Sequence, residues 1–177
     1  MLSYNCADLL RAEPGTTEYI DIALADLVVG DDVELAQPVR GRIQLSQSGR
    51  GILLRGHLDT TLAERCSRCL RPAKAHVSVD IEEEALPLVD LESGALLDAT
   101  EEPEALRLDD HHELDIEATV RDAISLAEPI APLCRPDCPG LCGVCGVDLA
   151  ADPKHAHQDD DIDPRLAALA GLRDRLQ

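Results

Sequence analysis

Two cysteine clusters constrain this chain more than any other feature. They are Cys66-Ser-Arg-Cys69 and the run Cys134-Arg-Pro-Asp-Cys138-Pro-Gly-Leu-Cys142-Gly-Val-Cys145-Gly146. A Cys-x-x-Cys turn aims two sulfurs at one point, and zinc takes four thiolate or imidazole ligands in a tetrahedron. The glycine after Cys145 suits a knuckle backbone with positive φ. Further on, His155-Ala-His157 places two imidazoles on the same side of an extended segment. Six clustered cysteines and two histidines supply eight donors, enough for two tetrahedral sites. One partition puts Cys66, Cys69, Cys134 and Cys138 on one ion and Cys142, Cys145, His155 and His157 on another. The alternative joins Cys134, Cys138, Cys142 and Cys145 and leaves Cys66 and Cys69 empty or redox-active. Cys6 has no partner in sequence and reads as an ordinary thiol.

The cysteines sit in a chain of 177 residues, about one domain with a small appendage. Its start shows neither a charged segment followed by an apolar one nor, anywhere, an apolar run of the roughly 18 residues that a membrane helix needs. A cytoplasmic address is expected, where thiols stay reduced and paired cysteines mark metal or redox sites. The pattern around Cys66 and Cys69 alternates as strands, which argues against a thioredoxin-like motif opening a helix. Nucleophile-elbow, phosphate-loop and dinucleotide fingerprints are missing from the sequence, so a non-enzymatic factor is expected.

Charge divides the chain further. The net charge is −19, and the only aromatic residues are Tyr4 and Tyr19. A base-stacking platform is therefore excluded, and a phosphate backbone is repelled overall. Residues 40–74 are the one basic segment, with eight Lys and Arg against two acids, whereas residues 75–131 carry two arginines against 17 acids. The basic segment is read either as a solvated strand face paired with the acidic stretch or as a local RNA or anion contact through Arg65, Arg68, Arg71 and Lys74.

Hydrophobic periodicity supplies an outline. Val39, Ile43 and Leu45, then Ile52, Leu54, Leu58 and Leu62, alternate with polar residues on either side of Ser48-Gly49-Arg50-Gly51, which predicts a β-hairpin ending at Cys66. Val77, Val79 and Ile81 continue the sheet after Cys69, and an earlier strand is expected around Ile20 to Val29. Residues 87–112 read as a mobile acidic loop, in which His111 and His112 are solvated. Ile116, Val120, Ile124 and Ala127 predict a helix over 115–128, capped by Asp115 and stopped by Pro129. A last helix is expected from Asp163 and Pro164 through Leu176. The expected fold is α+β: an antiparallel β-rich domain over 1–129 with one packing helix, and a Cys/His-rich segment over 130–177, held to it by metal and ending in a short helix.

The run GHLDTTLAERCSRCLRP, residues 56–72, resembles a signature of the YceD-type proteins, named for accumulation of large-subunit ribosomal RNA. The stretch LDIEATVRDAISLAEPIAPLCRPDCPGLCGVCGVDL and the closing IDPRLAALAGL resemble the C-terminal signature of the same family. Many relatives carry Cys-x-Cys where this chain has His155-Ala-His157, a swap between two kinds of zinc ligand. The donor count gives one or two zinc ions; the resemblance implies that zinc is structural and dispensable to the shared function, and that the role is in making or maturing the large (23S rRNA) subunit. Charge points to a basic ribosomal protein or assembly factor as partner, with rRNA as the rival and a generic zinc-stabilised adaptor as the reading outside ribosome assembly.

Overall fold

The structure is a computed structural model that describes residues 2–30, 33–98, 100 and 102–157. The helix expected from Asp163 lies outside the described residues. Among the described residues the main sheet has five strands in the order β2 (Thr17–Leu24), β3 (Glu34–Gln47), β4 (Ile52–Arg65), β5 (Pro72–Leu86), β6 (Leu106–Arg107). The strands β3, β4 and β5 run 14, 14 and 15 residues and form a long antiparallel meander. A second, small sheet pairs β1 (Ser3–Asn5) with β7 (Glu113–Asp115).

Alternation explains the burial. Ile52, Leu54, Leu58, Thr60 and Leu62 turn inward along β4, opposite Val39, Ile43 and Leu45 of β3, and Val77, Val79 and Ile81 of β5 complete the face. Helix α2 (Ile116–Leu126) covers it with Ile116, Val120 and Ile124, and α1 (Ala7–Arg11) adds Leu9. The core is almost wholly aliphatic, so its stability comes from many contributions of about 1.5–3 kcal/mol per buried side chain rather than from a few large rings. Asp115 caps α2 by accepting from the Ala118 amide at 2.9 Å.

Four expectations need correction. The early strand is β2, ending at Leu24, because the chain turns at Asp26 before Leu27 and Val29 enter the core. The segment 87–112 is not simply a mobile loop: Val89 bridges Leu96, Leu108 is fully buried, and β6 joins the sheet. That last pairing is parallel and sets Leu106 and Arg107 beside Ala85 and Leu86 at the end of β5, so the sheet is not purely antiparallel. His112, grouped with His111 among solvated residues, has a buried Nδ1 and a left-handed φ of 60°. The elements β1 and α1 were too short to leave a periodic signal.

Candidate metal centre

The β4–β5 hairpin ends in a knuckle. The Cys66 amide donates to the Arg71 carbonyl at 2.8 Å, and the Leu70 amide donates to the Cys66 carbonyl at 2.9 Å. The later cysteine pair repeats this geometry. The Cys142 amide donates to the Val147 carbonyl at 2.8 Å, and the Gly146 amide donates to the Cys142 carbonyl at 2.8 Å. In both turns the residue after the second cysteine adopts positive φ: 73° at Gly146 and 59° at Leu70. Gly146 does so freely, whereas the left-handed region costs a residue with a Cβ about 1–2 kcal/mol. Leu70 is 58% exposed, so packing does not repay that strain. Leu70→Gly is expected to stabilise the protein by about 0.5–1 kcal/mol once the greater freedom of glycine in the unfolded chain is subtracted, read as a higher urea midpoint.

The fold gathers two groups of four donors. Cys66, Cys69, Cys134 and Cys138 converge, as do Cys142, Cys145, His155 and His157, with the ligand atoms of each group within 4.8 Å of one another. This grouping divides the second run of cysteines between two centres rather than joining its four members. In the first group, Cys66 Sγ lies 3.8 Å from Cys138 Sγ and Cys69 Sγ lies 3.6 Å from Cys134 Sγ. Sulfurs bound to one tetrahedral zinc at about 2.3 Å stand about 3.8 Å apart. A disulfide needs about 2.05 Å, and the cysteines are free thiols. In the second group, Cys142 Sγ approaches His157 Nε2 at 3.1 Å, Cys145 Sγ approaches His155 Nε2 at 3.2 Å, and the two Nε2 atoms are 2.9 Å apart.

The thiols themselves fit a cation. The Cys134 backbone amide, joined by those of Cys69 and Arg68, pulls Cys66 down to about 6. The Arg71 side chain lowers Cys69. Loss of solvent pushes Cys134 up to about 12 and raises Cys138. The protein's own donors therefore favour the thiolate form at Cys66 and Cys69, whereas a bound cation would favour ionisation of Cys134 and Cys138. In the second group, the Cys145 and Val144 amides pull Cys142 down to about 6. The two groups differ in setting: Cys66, Cys69 and Cys138 are buried, whereas Cys145 and His157 are exposed.

The first group is also a staple. The Ser67 amide donates to the Pro132 carbonyl at 2.8 Å, and the Leu141 amide donates to the Arg68 carbonyl at 3.0 Å. Gly140 packs so closely on Arg68 that a Cβ would stand 3.1 Å from its carbonyl oxygen. Leu133 and Leu141 close over Cys66, Cys69, Ala73 and Cys138. Two of the four residues considered for RNA contact are engaged here. Arg68 Nη1 donates to the Cys138 carbonyl at 2.9 Å, and Arg71 Nε donates to Cys69 Sγ at 3.4 Å. Arg71 also reaches Asp148 at 3.7 Å, linking the hairpin knuckle to the second. The supporting roles of Arg68 and Arg71 left no separate mark in the sequence, although their place beside the cysteines was a usable signal. Arg65 lines a cleft with Glu34, Glu64 and Glu128, and Lys74 stands on the exposed face of β5.

Cys6 lies in the main core, where burial raises its thiol to about 12. Asp109, Asp110 and His111 form a third, exposed group of possible ligands. The Asp109 carboxylate there already accepts the His111 and Glu113 amides at 2.8 Å, a turn contact.

A β-sheet whose central hairpin is clasped to a Cys/His-rich segment through twinned knuckles defines a protein scaffold with two potential metal centres. The model of the family described as "Large ribosomal RNA subunit accumulation protein YceD" matches residues 54–173, and the chain belongs to that family. An uncharacterized protein of Mycobacterium tuberculosis is 39% identical over 130 residues, covering 73% of this chain and 59% of its own length. An uncharacterized protein of Mycobacterium leprae is 31% identical over 140 residues, covering 79% of this chain and 61% of its own. The chain thus spans about six-tenths of the length of these curated relatives. No solved structure matches it. Among the described residues no helix is long and apolar enough to cross a membrane.

Proposed function

We propose that this chain is a non-enzymatic, zinc-binding factor that supports accumulation of large-subunit ribosomal RNA by holding a basic ribosomal protein or assembly factor. The family supports the ribosomal role. The observation that carries the protein-contact reading is how the basic segment spends its charge. Arg42 pairs with Asp21 at 2.7 Å, Arg55 with Glu82 at 2.7 Å, and Arg50 with Glu84 and Glu102 at 2.5 Å each. With Arg68 and Arg71 engaged at the knuckle, few cations of this segment are left to meet phosphate, while the acids of residues 75–131 outnumber its two arginines by far. Opposite charge steers a basic protein to such a surface and fixes its register.

The non-enzymatic reading draws on one further detail. His57 Nδ1 lies 2.7 Å from Asp80 and its Nε2 lies 3.1 Å from the Ser78 hydroxyl. This Ser–His–Asp row stands on the open face of the sheet, with the His57 and Asp80 side chains 58% and 87% exposed. Water surrounds it, whereas acyl transfer needs an enclosed site with donors aimed at the developing oxyanion.

Two measurements test the proposal. Elemental analysis of protein purified under reducing, chelator-free conditions is expected to return two zinc ions per chain; one ion would point to a single centre, and none would remove the metal reading. Pull-downs at low and moderate salt are expected to capture a basic ribosomal protein, more weakly as salt rises. Capture of rRNA alone, lost on reversing Arg65 and Lys74, which stand outside the knuckle, would overturn the protein-contact mechanism.

A further inference from the structure

Strand β5 keeps an open edge. It pairs with β4 along its whole length without a register shift, from Ile52↔Ala85 to Arg65↔Pro72. On its other side only Ala85 and Leu86 are paired, with β6, and among the described residues no other strand pairs there. The Leu86 carbonyl accepts from the Leu108 amide at 3.0 Å on that side. The amide and carbonyl of one strand residue point the same way, and the direction alternates along the strand. Ser78, Asp80 and Glu82 therefore present their backbone groups to the open side. From Ser78 to Glu82 this is an edge of about 13 Å.

Exposed edges are commonly blunted by lysine or proline. Between Ser78 and Glu84 there is neither. A groove of about 660 Å³ runs along the edge instead, with α2 as its far wall. Its apolar lining includes Leu106 and Leu126, and Leu126 is left 89% exposed. Its charged lining is all acidic: Asp80, Glu82, Glu83, Glu104 and Asp122.

We propose that this edge and groove bind an extended, lysine- or arginine-rich polypeptide segment as an added strand. The inference rests on the protein-contact reading above and gives that contact a place and a mode. Main-chain hydrogen bonds to β5 supply affinity, alternate apolar side chains enter the groove toward α2, and the basic ones meet the acidic rim. A second copy of the chain is a poor occupant, since its β5 edge would bring the same acids face to face.

The test uses the full, metal-loaded chain and a ten-residue synthetic peptide alternating Lys and Val. Two further peptides carry N-methyl groups on either the Lys set or the Val set, so that each deletes one row of strand hydrogen bonds. The parent peptide is expected to bind and to slow amide exchange at Ser78, Asp80 and Glu82. One of the two methylated peptides is expected to bind at least about 10-fold more weakly, as is the parent peptide to Ser78→Pro, which removes an outward amide and spares the β4 ladder. Equal binding by all three peptides to the unaltered protein overturns strand addition, whatever Ser78→Pro does to folding. If Glu83→Gln with Asp122→Asn weakens that equal binding, the protein-contact reading survives its loss. Slow exchange at those amides before peptide is added means the edge is already covered and also overturns the proposal. Failure of every cationic peptide to bind removes the protein-contact reading and this inference together.

Discussion

Cys66→Ala is expected to cost one metal ion and to release the Cys/His-rich segment from the sheet. Cys66 is wholly buried where β4 ends, and its sulfur faces Cys138 across 3.8 Å. An apparent binding energy of about 10–16 kcal/mol is typical of a four-ligand structural zinc, and losing the ion removes that contribution from the attachment. That cost falls on the segment rather than on the sheet. What ties residues 132–141 to the hairpin is a handful of backbone bonds and the small cluster of Leu133, Leu141 and Ala73 around the cysteines. The main core, from Cys6 to Ile124, is a separate cluster. Metal content should therefore fall from two ions to one. Amide exchange should quicken across 130–157 and remain slow in β3 and β4. Uniform loss of protection would mean that the staple supports the whole fold, and unchanged metal content would remove Cys66 from the ligands. Cys145→Ala should likewise remove one ion while leaving the bonds around Ser67 and Arg68 intact, because its group is the exposed one.

The sequence made the meander and the donor groups legible for the same reason: both are written in short-range periodicity. Alternation of period two carried Ile52, Leu54, Leu58 and Leu62 to one face, and the spacing of the paired cysteines directed their sulfurs together. Asp115 was readable as a cap because capping depends on residues three positions apart. What the sequence concealed depends on distant partners. The parallel seat of Leu106–Arg107 follows from where the acidic segment returns the chain, and no local pattern encodes that. The three residues of β1 are held by β7, more than 100 positions away in sequence, so they carry too little pattern of their own. Arg68 and Arg71 looked like a basic surface because charge is visible in sequence, whereas the Cys138 carbonyl and the Cys69 sulfur that engage them are not. Leu70 shows the reverse case. Its left-handed turn was legible at Gly146, where glycine announces it, and hidden at the matching position, where leucine bears the strain.

Gly41→Ala is expected to destabilise the whole molecule, in contrast to Cys66→Ala. Gly41 sits within β3, paired with Leu58 on β4 and Ile22 on β2, just after the register shift between Gln37 and Arg40. A Cβ there would stand 2.1 Å from the His57 carbonyl oxygen and 2.6 Å from Leu58 Cδ2. The first of these atoms is backbone, so the clash cannot be relieved by a rotamer change. The strands must separate, and Leu58, which is fully buried, must move with them. Overpacking costs about 1–3 kcal/mol where side chains can adjust, so a clash with backbone should cost about 3 kcal/mol or more. The loss should appear as a lower urea midpoint for the far-UV signal of the sheet, with two metal ions still bound in the folded protein. A shift below 1 kcal/mol would mean that β3 and β4 can part locally. The long meander would then be too compliant to fix the hairpin knuckle, and the Cys/His-rich segment would have to position its own ligands.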